Sequence, residues 1–200
     1  MRTLPIVALI VLLVTVASAQ QKISENEIEA AIKCGLGQVK CDRPILTPGG
    51  LSAVMLDWSV TVTPPLGRIY VAARNAKDKY LPFARADVSE DMLASEIHVF
   101  VESTASKMTE LRDVEHVVIL PRGKNEGAVQ PSRIDAVESE VKNLAGASFK
   151  KISKRAVFKL ADLPPGEFDI VVVSSGARDF RAGVREKDRQ KLTLWSGAGS

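Results

Sequence analysis

Val54, Leu56, Trp58, Val60 and Val62 alternate with Met55, Asp57, Ser59, Thr61 and Thr63. A period of two places the first set on one side of an extended chain and the second on the other, so the run reads as a strand with one buried face. It restricts the fold more than any other segment, because an apolar stripe of this period cannot be laid along one side of a helix. Trp58 falls in the apolar set and is read as a core residue, not a ligand platform. Further strands are expected at Ile97, Val99 and Val101, over Val114–Leu120, and in the C-terminal third at Ala156–Leu160, Phe168–Ser174 and Phe180–Val184. Ser175-Gly176-Ala177 would reverse the chain before the last of these, which suits an outer strand.

Helical signals are fewer. Ser24-Glu25-Asn26-Glu27 has the form of a capping box, Ile28, Ala31 and Ile32 follow on one face, and Gly35 sits where a C-terminal cap belongs. These predict a helix over about residues 25–34, followed by a connector marked by Pro44, Pro48, Gly49 and Gly50. Thr63 as N-cap, Pro64-Pro65 as first turn, and Leu66, Ile69, Tyr70 and Ala73 at helical spacing predict a second helix over 65–79. Its opposite face carries Arg68, Arg74, Lys77 and Lys79. Ser89 is expected to cap one turn through Leu93. Ser132-Arg133-Ile134-Asp135, with Ile134, Val137, Val141 and Leu144 behind it, predicts a helix over 133–145.

The N-terminus addresses the compartment. Arg2, an apolar stretch from Leu4 to Val16 and Ala17-Ser18-Ala19 make the charged, apolar and small-residue parts of a secretory signal peptide, with the mature chain starting at Gln20. A retained anchor is the rival reading, but a spanning helix needs about 20 apolar residues and this stretch is shorter and contains Pro5. The expected location is therefore the periplasm or the extracellular space of a bacterium, with no transmembrane anchor after cleavage. In that oxidising setting Cys34 and Cys41 are expected to form a disulfide, worth roughly 2.5 kcal/mol by the chain-entropy model. Their spacing does not match the redox C-x-x-C pair, and two thiols are too few for structural zinc.

Removing nineteen residues leaves 181, enough for one domain with a sizeable core. The expected division is a leader at 1–19, an N-terminal helix and connector at 20–50, a β-rich domain at 51–195 and a flexible tail at 196–200. The mature net charge of +2 gives no case for nucleic acid as a partner. Charge is uneven, however. Lys150, Lys151, Lys154, Arg155 and Lys159 cluster, and Arg181 and Arg185 belong to a second basic series mixed with acids. The functional reading makes Lys150, Lys151, Lys154, Arg155, Arg181 and Arg185 a candidate anion-binding face; the plain one makes them solvated strand edges that deter aggregation.

The run Val157-Phe158-Lys159-Leu160-Ala161-Asp162-Leu163-Pro164-Pro165-Gly166-Glu167-Phe168-Asp169-Ile170-Val171-Val172 resembles the strand, Leu-Pro-x-Gly, aromatic, strand element of carboxypeptidase-regulatory-like domains. Those domains are transthyretin-like or immunoglobulin-like β-sandwiches common in secreted bacterial proteins, and the resemblance covers residues 157–172. Physically, Pro sets φ near roughly −65°, Gly supplies a positive φ, and the flanking apolar residues fill the space between two sheets. The expected fold class is accordingly α+β, mainly an antiparallel β-sandwich of immunoglobulin-like or transthyretin-like type with two or three added helices. Fold likeness carries no function.

Catalytic patterns are sparse. His98 and His116, the two histidines, each fall in an expected strand and are read as solvent-facing, though on adjacent strands they could share a proton or a metal. No Gly-x-Ser-x-Gly elbow is present, and Gly35-Leu36-Gly37 follows a helix where a phosphate loop would precede one. Asp87-Val88-Ser89-Glu90-Asp91 starts like a calcium loop, but Met92 and His98 stand where that loop needs Gly and Glu. The expectation is a noncatalytic binding module without a cofactor, partnered by a protein or an envelope polymer. The alternatives are an enzyme assembled around the two histidines and attachment to anionic polymers through the basic C-terminal third. Mass spectrometry of the exported protein should find Gln20 as first residue and native thiol labelling should find no free cysteine; an intact Met1 or two reactive thiols would refute the respective reading.

Overall fold

The computed structural model describes residues 23–48, 58–103, 114–142, 148–174 and 179–197. The expected leader at 1–19, Val54 to Asp57, the side chain of Trp58 and the expected turn at Ser175-Gly176-Ala177 lie outside the described residues. The architecture is α+β, with strands β1 (Trp58–Thr63), β2 (Glu96–Ser103), β3 (Val114–Pro121), β4 (Arg133–Lys142), β5 (Ser148–Lys159), β6 (Phe168–Ser174) and β7 (Phe180–Val184). They form two antiparallel sheets, one in the order β1-β2-β5-β4 and one in the order β3-β6-β7.

One face of each sheet contributes to a shared core. Residues directly opposite on neighbouring antiparallel strands point the same way, so the registers Val62 to Val99 to Ala156 and Ile97 to Phe158 each define a row on one face. These side chains are fully buried against Val117, Ile119, Phe168, Ile170, Ala182 and Val184 of the other sheet. Each such burial is worth roughly 1.5–3 kcal/mol relative to exposure, which makes this layer the main stabilising element of the fold. The segment from β5 to β6 does not make a hairpin, since the two strands belong to different sheets. Leu163 sits in the core between Phe158 and Phe168, and Gly166 does not take the positive φ expected of it. The chain crosses from sheet to sheet here and needs no tight reversal.

Four helices are described: α1 (Glu25–Gly35), α2 (Pro65–Asp78), the single turn α3 (Glu90–Leu93) and α4 (Glu186–Leu194). The capping box of α1 is formed, with the Ser24 amide donating to Glu27 at 2.8 Å and the Glu27 amide donating to Ser24 at 3.3 Å. Ile28, Ala31 and Ile32 pack with Leu66, Ile69 and Val88 in a second apolar cluster, and Trp195 touches both clusters. Trp195 also accepts from the Leu66 amide at 3.1 Å, satisfying one of the orphan donors in the first turn of α2. The segment 20–50 is tied to the sheets as well, through a bridge between Leu46 and Val62. Among the described residues no helix is long and apolar enough to cross a membrane.

Several expectations are corrected. The helix foreseen over 133–145 is strand β4, paired with β5 over ten residues. Ile134, Val137 and Val141 are β-branched and favour the ladder that β5 offers, which a reading of 3.6-residue spacing alone does not weigh. β5 begins at Ser148, well before Ala156, and α4 was not foreseen because Leu192 is its one buried side chain and leaves no apolar stripe. Thr63 is not the cap of α2; that position is Pro64, and the Thr63 hydroxyl donates to the His98 carbonyl at 3.2 Å. In the expected tail, Ser196 is buried and donates to the Leu192 carbonyl at 2.6 Å, while Gly197 packs on Ile23.

Gly35 has a different role from the cap expected of it. It remains helical, and a Cβ there would lie 2.5 Å from the Tyr70 carbonyl oxygen and 2.7 Å from the Ala73 Cβ, so the glycine lets α1 and α2 touch. Gly35→Ala should force the two helices apart and cost about 1–3 kcal/mol in urea unfolding. An unchanged midpoint would contradict this close crossing.

Candidate functional site

The expected site residues do not gather on one surface. Cys34 and Cys41 are joined, with Cα atoms 5.8 Å apart, fastening the loop after α1 to the end of that helix. Lys154 and Arg155 are neighbours on β5 and point to opposite faces. Lys154 shares the core side with Val101, and its ammonium donates to the Val114 carbonyl at the start of β3 in the other sheet. Arg155 faces outward and is held by Asp135, with Nε at 2.9 Å and Nη2 at 2.5 Å. Arg181 lies exposed on β7 and Arg185 exposed at the N-cap of α4, both on the side of the three-stranded sheet. The side chains of Lys150 and Lys151 lie outside the described residues.

The two histidines are also apart. His116 is exposed on β3, whereas His98 is buried on the outer side of β2, in the other sheet. This separates the pair that a shared proton or metal would need, and it corrects the expectation that His98 faces solvent. Its register neighbours are Thr63 on β1 and Val157 on β5, with Arg133 beyond on β4. Its ring meets Phe100 edge-on with centroids 6.3 Å apart. Burial, then the guanidinium groups of Arg68, Arg155 and Arg133, push the imidazole down to about 4 from an ordinary 6.5, opposed by Asp135. A neutral ring among cations serves packing better than proton transfer near neutral pH.

Arg68 is the residue that sequence reasoning misplaced most. Assigned to a solvent face, it is buried and forks onto three carbonyls: Nη1 to Glu96 at 2.7 Å, Nη2 to Ala94 at 2.5 Å and Nε to Met92 at 3.2 Å. Desolvation lowers its pKa to about 10, with Glu96 and Asp91 acting the other way, so it keeps its charge at neutral pH. It stitches α2 to the end of α3 and the start of β2. Asp135 is shared between Arg155 and Arg133, the latter at 3.2 Å, and those guanidinium groups hold its carboxyl below the usual range. Arg68, Arg133, Asp135 and Arg155 are each committed to a partner within the fold. Among the described residues no three His, Cys, Asp or Glu side chains are placed to hold a metal.

Three of the large apolar side chains exposed among the described residues lie at the C-terminal ends of α1 and α2. Both helices finish in the same backbone motif. After α1 the Gly37 amide bonds to Cys34 and the Gln38 amide to Lys33; after α2 the Tyr80 amide bonds to Lys77 and the Leu81 amide to Ala76. The motif needs a left-handed residue, normally glycine. Gly37 supplies it with φ 69°, but in α2 the position is Tyr80, with φ 58°. A side chain there costs roughly 1–2 kcal/mol. Tyr80 recovers none of that through packing, being 98% exposed. Leu81 beside it is 58% exposed and Val39, in the disulfide loop, 46% exposed. The two ends adjoin, since Gly37 lies against the ammonium of Lys77. Phe83, packed on the helical cluster, anchors the segment that carries Tyr80 and Leu81.

In comparisons with known proteins the chain matches no family model, no curated protein and no solved structure.

The buried histidine sets a pH dependence. Its folded pKa lies below the unfolded value, so the fold favours the neutral ring and stability is full above about pH 6.5 and falls as pH drops toward about 4. His98→Gln should flatten the unfolding midpoint across that window while leaving the loss at lower pH, where Asp135 titrates. A wild-type midpoint constant between pH 6.5 and 4 would refute it.

Proposed function

We propose that the mature chain is an exported, disulfide-stapled, noncatalytic binding module whose working surface is the tip formed by the ends of α1 and α2. Arg2, the apolar stretch and Ala17-Ser18-Ala19 support export, and the joined Cys34 and Cys41 suit an oxidising compartment. The two antiparallel sheets and the crossing at Leu163-Pro164-Pro165-Gly166 support a sandwich of the immunoglobulin-like or transthyretin-like type. On this reading the body is a rigid carrier and binding residues sit on its helical end.

Tyr80 is the observation that carries the reading. A large aromatic occupies a position where glycine would fit the backbone better, and it packs against nothing in the described chain. Local strain of this kind is retained at places that serve something other than folding. The catalytic alternative loses its two-histidine centre because His98 and His116 belong to different sheets. Attachment through the basic C-terminal third is less favoured, because Lys154, Arg155, Arg181 and Arg185 occupy different faces.

Tyr80→Gly separates folding from binding. The variant should unfold at an unchanged or higher urea concentration, with a gain of up to about 1 kcal/mol after allowing for the freer unfolded chain. Retention of the exported protein by the cell-envelope fraction should drop several-fold. A loss of stability, or undiminished retention, would count against the tip as the working surface.

A further inference from the structure

The tip combines three properties that together select one kind of partner. Its apolar side chains project outward. Val39, Tyr80 and Leu81 are three of the five large apolar residues exposed among the described residues, and two adjacent helix ends carry all three. It is also cationic. Residues 33–43 and 74–81 hold six Lys and Arg against two Asp. Both acids are neutralised within the fold, Asp78 by Arg74 at 3.2 Å and Asp42 by Lys191 at 2.9 Å. Lys40, Lys77 and Lys79 are exposed and have no carboxylate partner among the described residues. Finally, both loops are held in place, one by the Cys34–Cys41 bond and the other by the helix-end motif and Phe83. Little backbone ordering entropy remains to be lost on binding.

Resting on the reading of the tip as the binding surface, we propose that it docks on the surface of an anionic phospholipid bilayer. Tyr80 and Leu81 enter the boundary between headgroups and acyl chains, with Val39 alongside, while Lys40, Lys77 and Lys79 meet the lipid phosphates. Tyrosine suits that boundary because its ring is apolar and its hydroxyl stays wet. Lysine stems lie along the apolar zone and lift their charges to the phosphates. A soluble polyanion would reward the lysines but leave Tyr80, Leu81 and Val39 in water. A protein partner would use both sets only by matching an apolar pocket with acidic groups at each lysine, whereas an anionic lipid interface offers an apolar zone beneath a layer of phosphates without such matching.

The test is sedimentation of the exported form of the chain with vesicles of phosphatidylcholine alone and of phosphatidylcholine containing phosphatidylglycerol. Binding is expected only to the anionic vesicles and should weaken as salt is raised. With each lysine worth about fivefold, Lys77→Gln combined with Lys79→Gln should weaken it by about 25-fold. Tyr80→Gly should weaken it several-fold without lowering the urea midpoint. Absence of binding to anionic vesicles overturns the proposal. So does binding that ignores these substitutions but is lost in the double variant Arg181→Gln, Arg185→Gln. If Tyr80→Gly releases the protein from the envelope while the wild type never binds vesicles, the lipid assignment fails and the tip as a binding surface stands, with a protein or polymer as its partner.

Discussion

The two sheets of the described fold depend on one apolar layer, where their inner faces bury valine, isoleucine and phenylalanine side chains against each other. Val60, Val62, Ile97, Val99 and Val101 from one sheet and Val117, Ile119, Ile170 and Ala182 from the other are fully buried. Such a layer tolerates few polar atoms unless they are paired. Lys154 obeys that rule at its margin: its stem joins the core face of β5, and its ammonium reaches the Val114 carbonyl of the opposite sheet. A residue counted among basic surface groups on composition thus ties the two sheets together. The crossing from β5 to β6, with Leu163 between Phe158 and Phe168, is the covalent counterpart of that tie.

The helical layer is fixed to this body by a small number of polar joints. Trp195 contacts both apolar clusters and accepts the Leu66 amide, so the end of α4 seats the start of α2. Arg68 forks onto the carbonyls of Met92, Ala94 and Glu96 and locks the same helix to β2. Because the first turn of α2 is held at both points, its far end is positioned rigidly from the sheets. Gly35 brings α1 alongside, and the disulfide closes the loop beyond it. The consequence is mechanical. A side chain at Tyr80 is presented on a stiff arm, although nothing holds the ring itself.

Two described residues stand out against their surroundings, the buried His98 and the left-handed Tyr80. His98 has an internal explanation: its neutral ring fills an outer-face position beside Phe100 under Arg68, Arg133 and Arg155. Tyr80 has no such explanation. Gly37 and Tyr80 fill the same backbone role with opposite residue types, so the strain at Tyr80 comes from its side chain and not from the motif.

Much of the framework was legible in the residues. The strands at β1, β2, β3, β6 and β7, the helices α1 and α2, the Ser24 capping box and the Cys34–Cys41 pair all follow from short-range rules: period two, period 3.6, cap chemistry and thiol spacing. Those rules failed at 133–145, where β-branched residues at helical spacing became β4 because β5 supplied a ladder from a distance. They misplaced Arg68, whose burial depends on carbonyls 24 to 28 residues away, and were silent on the pairing of Asp135 with Arg155, 20 residues apart. Tyr80 could have been noticed only by asking which residue follows the last turn of α2 and whether it is a glycine. What the sequence determined alone was therefore every feature whose cause lies within a few residues, since backbone sterics and amphipathic period act locally. Which polar groups are spent inside the fold, and which are left at its tip, was decided by tertiary structure, because burial and pairing depend on neighbours that only the folded chain brings together.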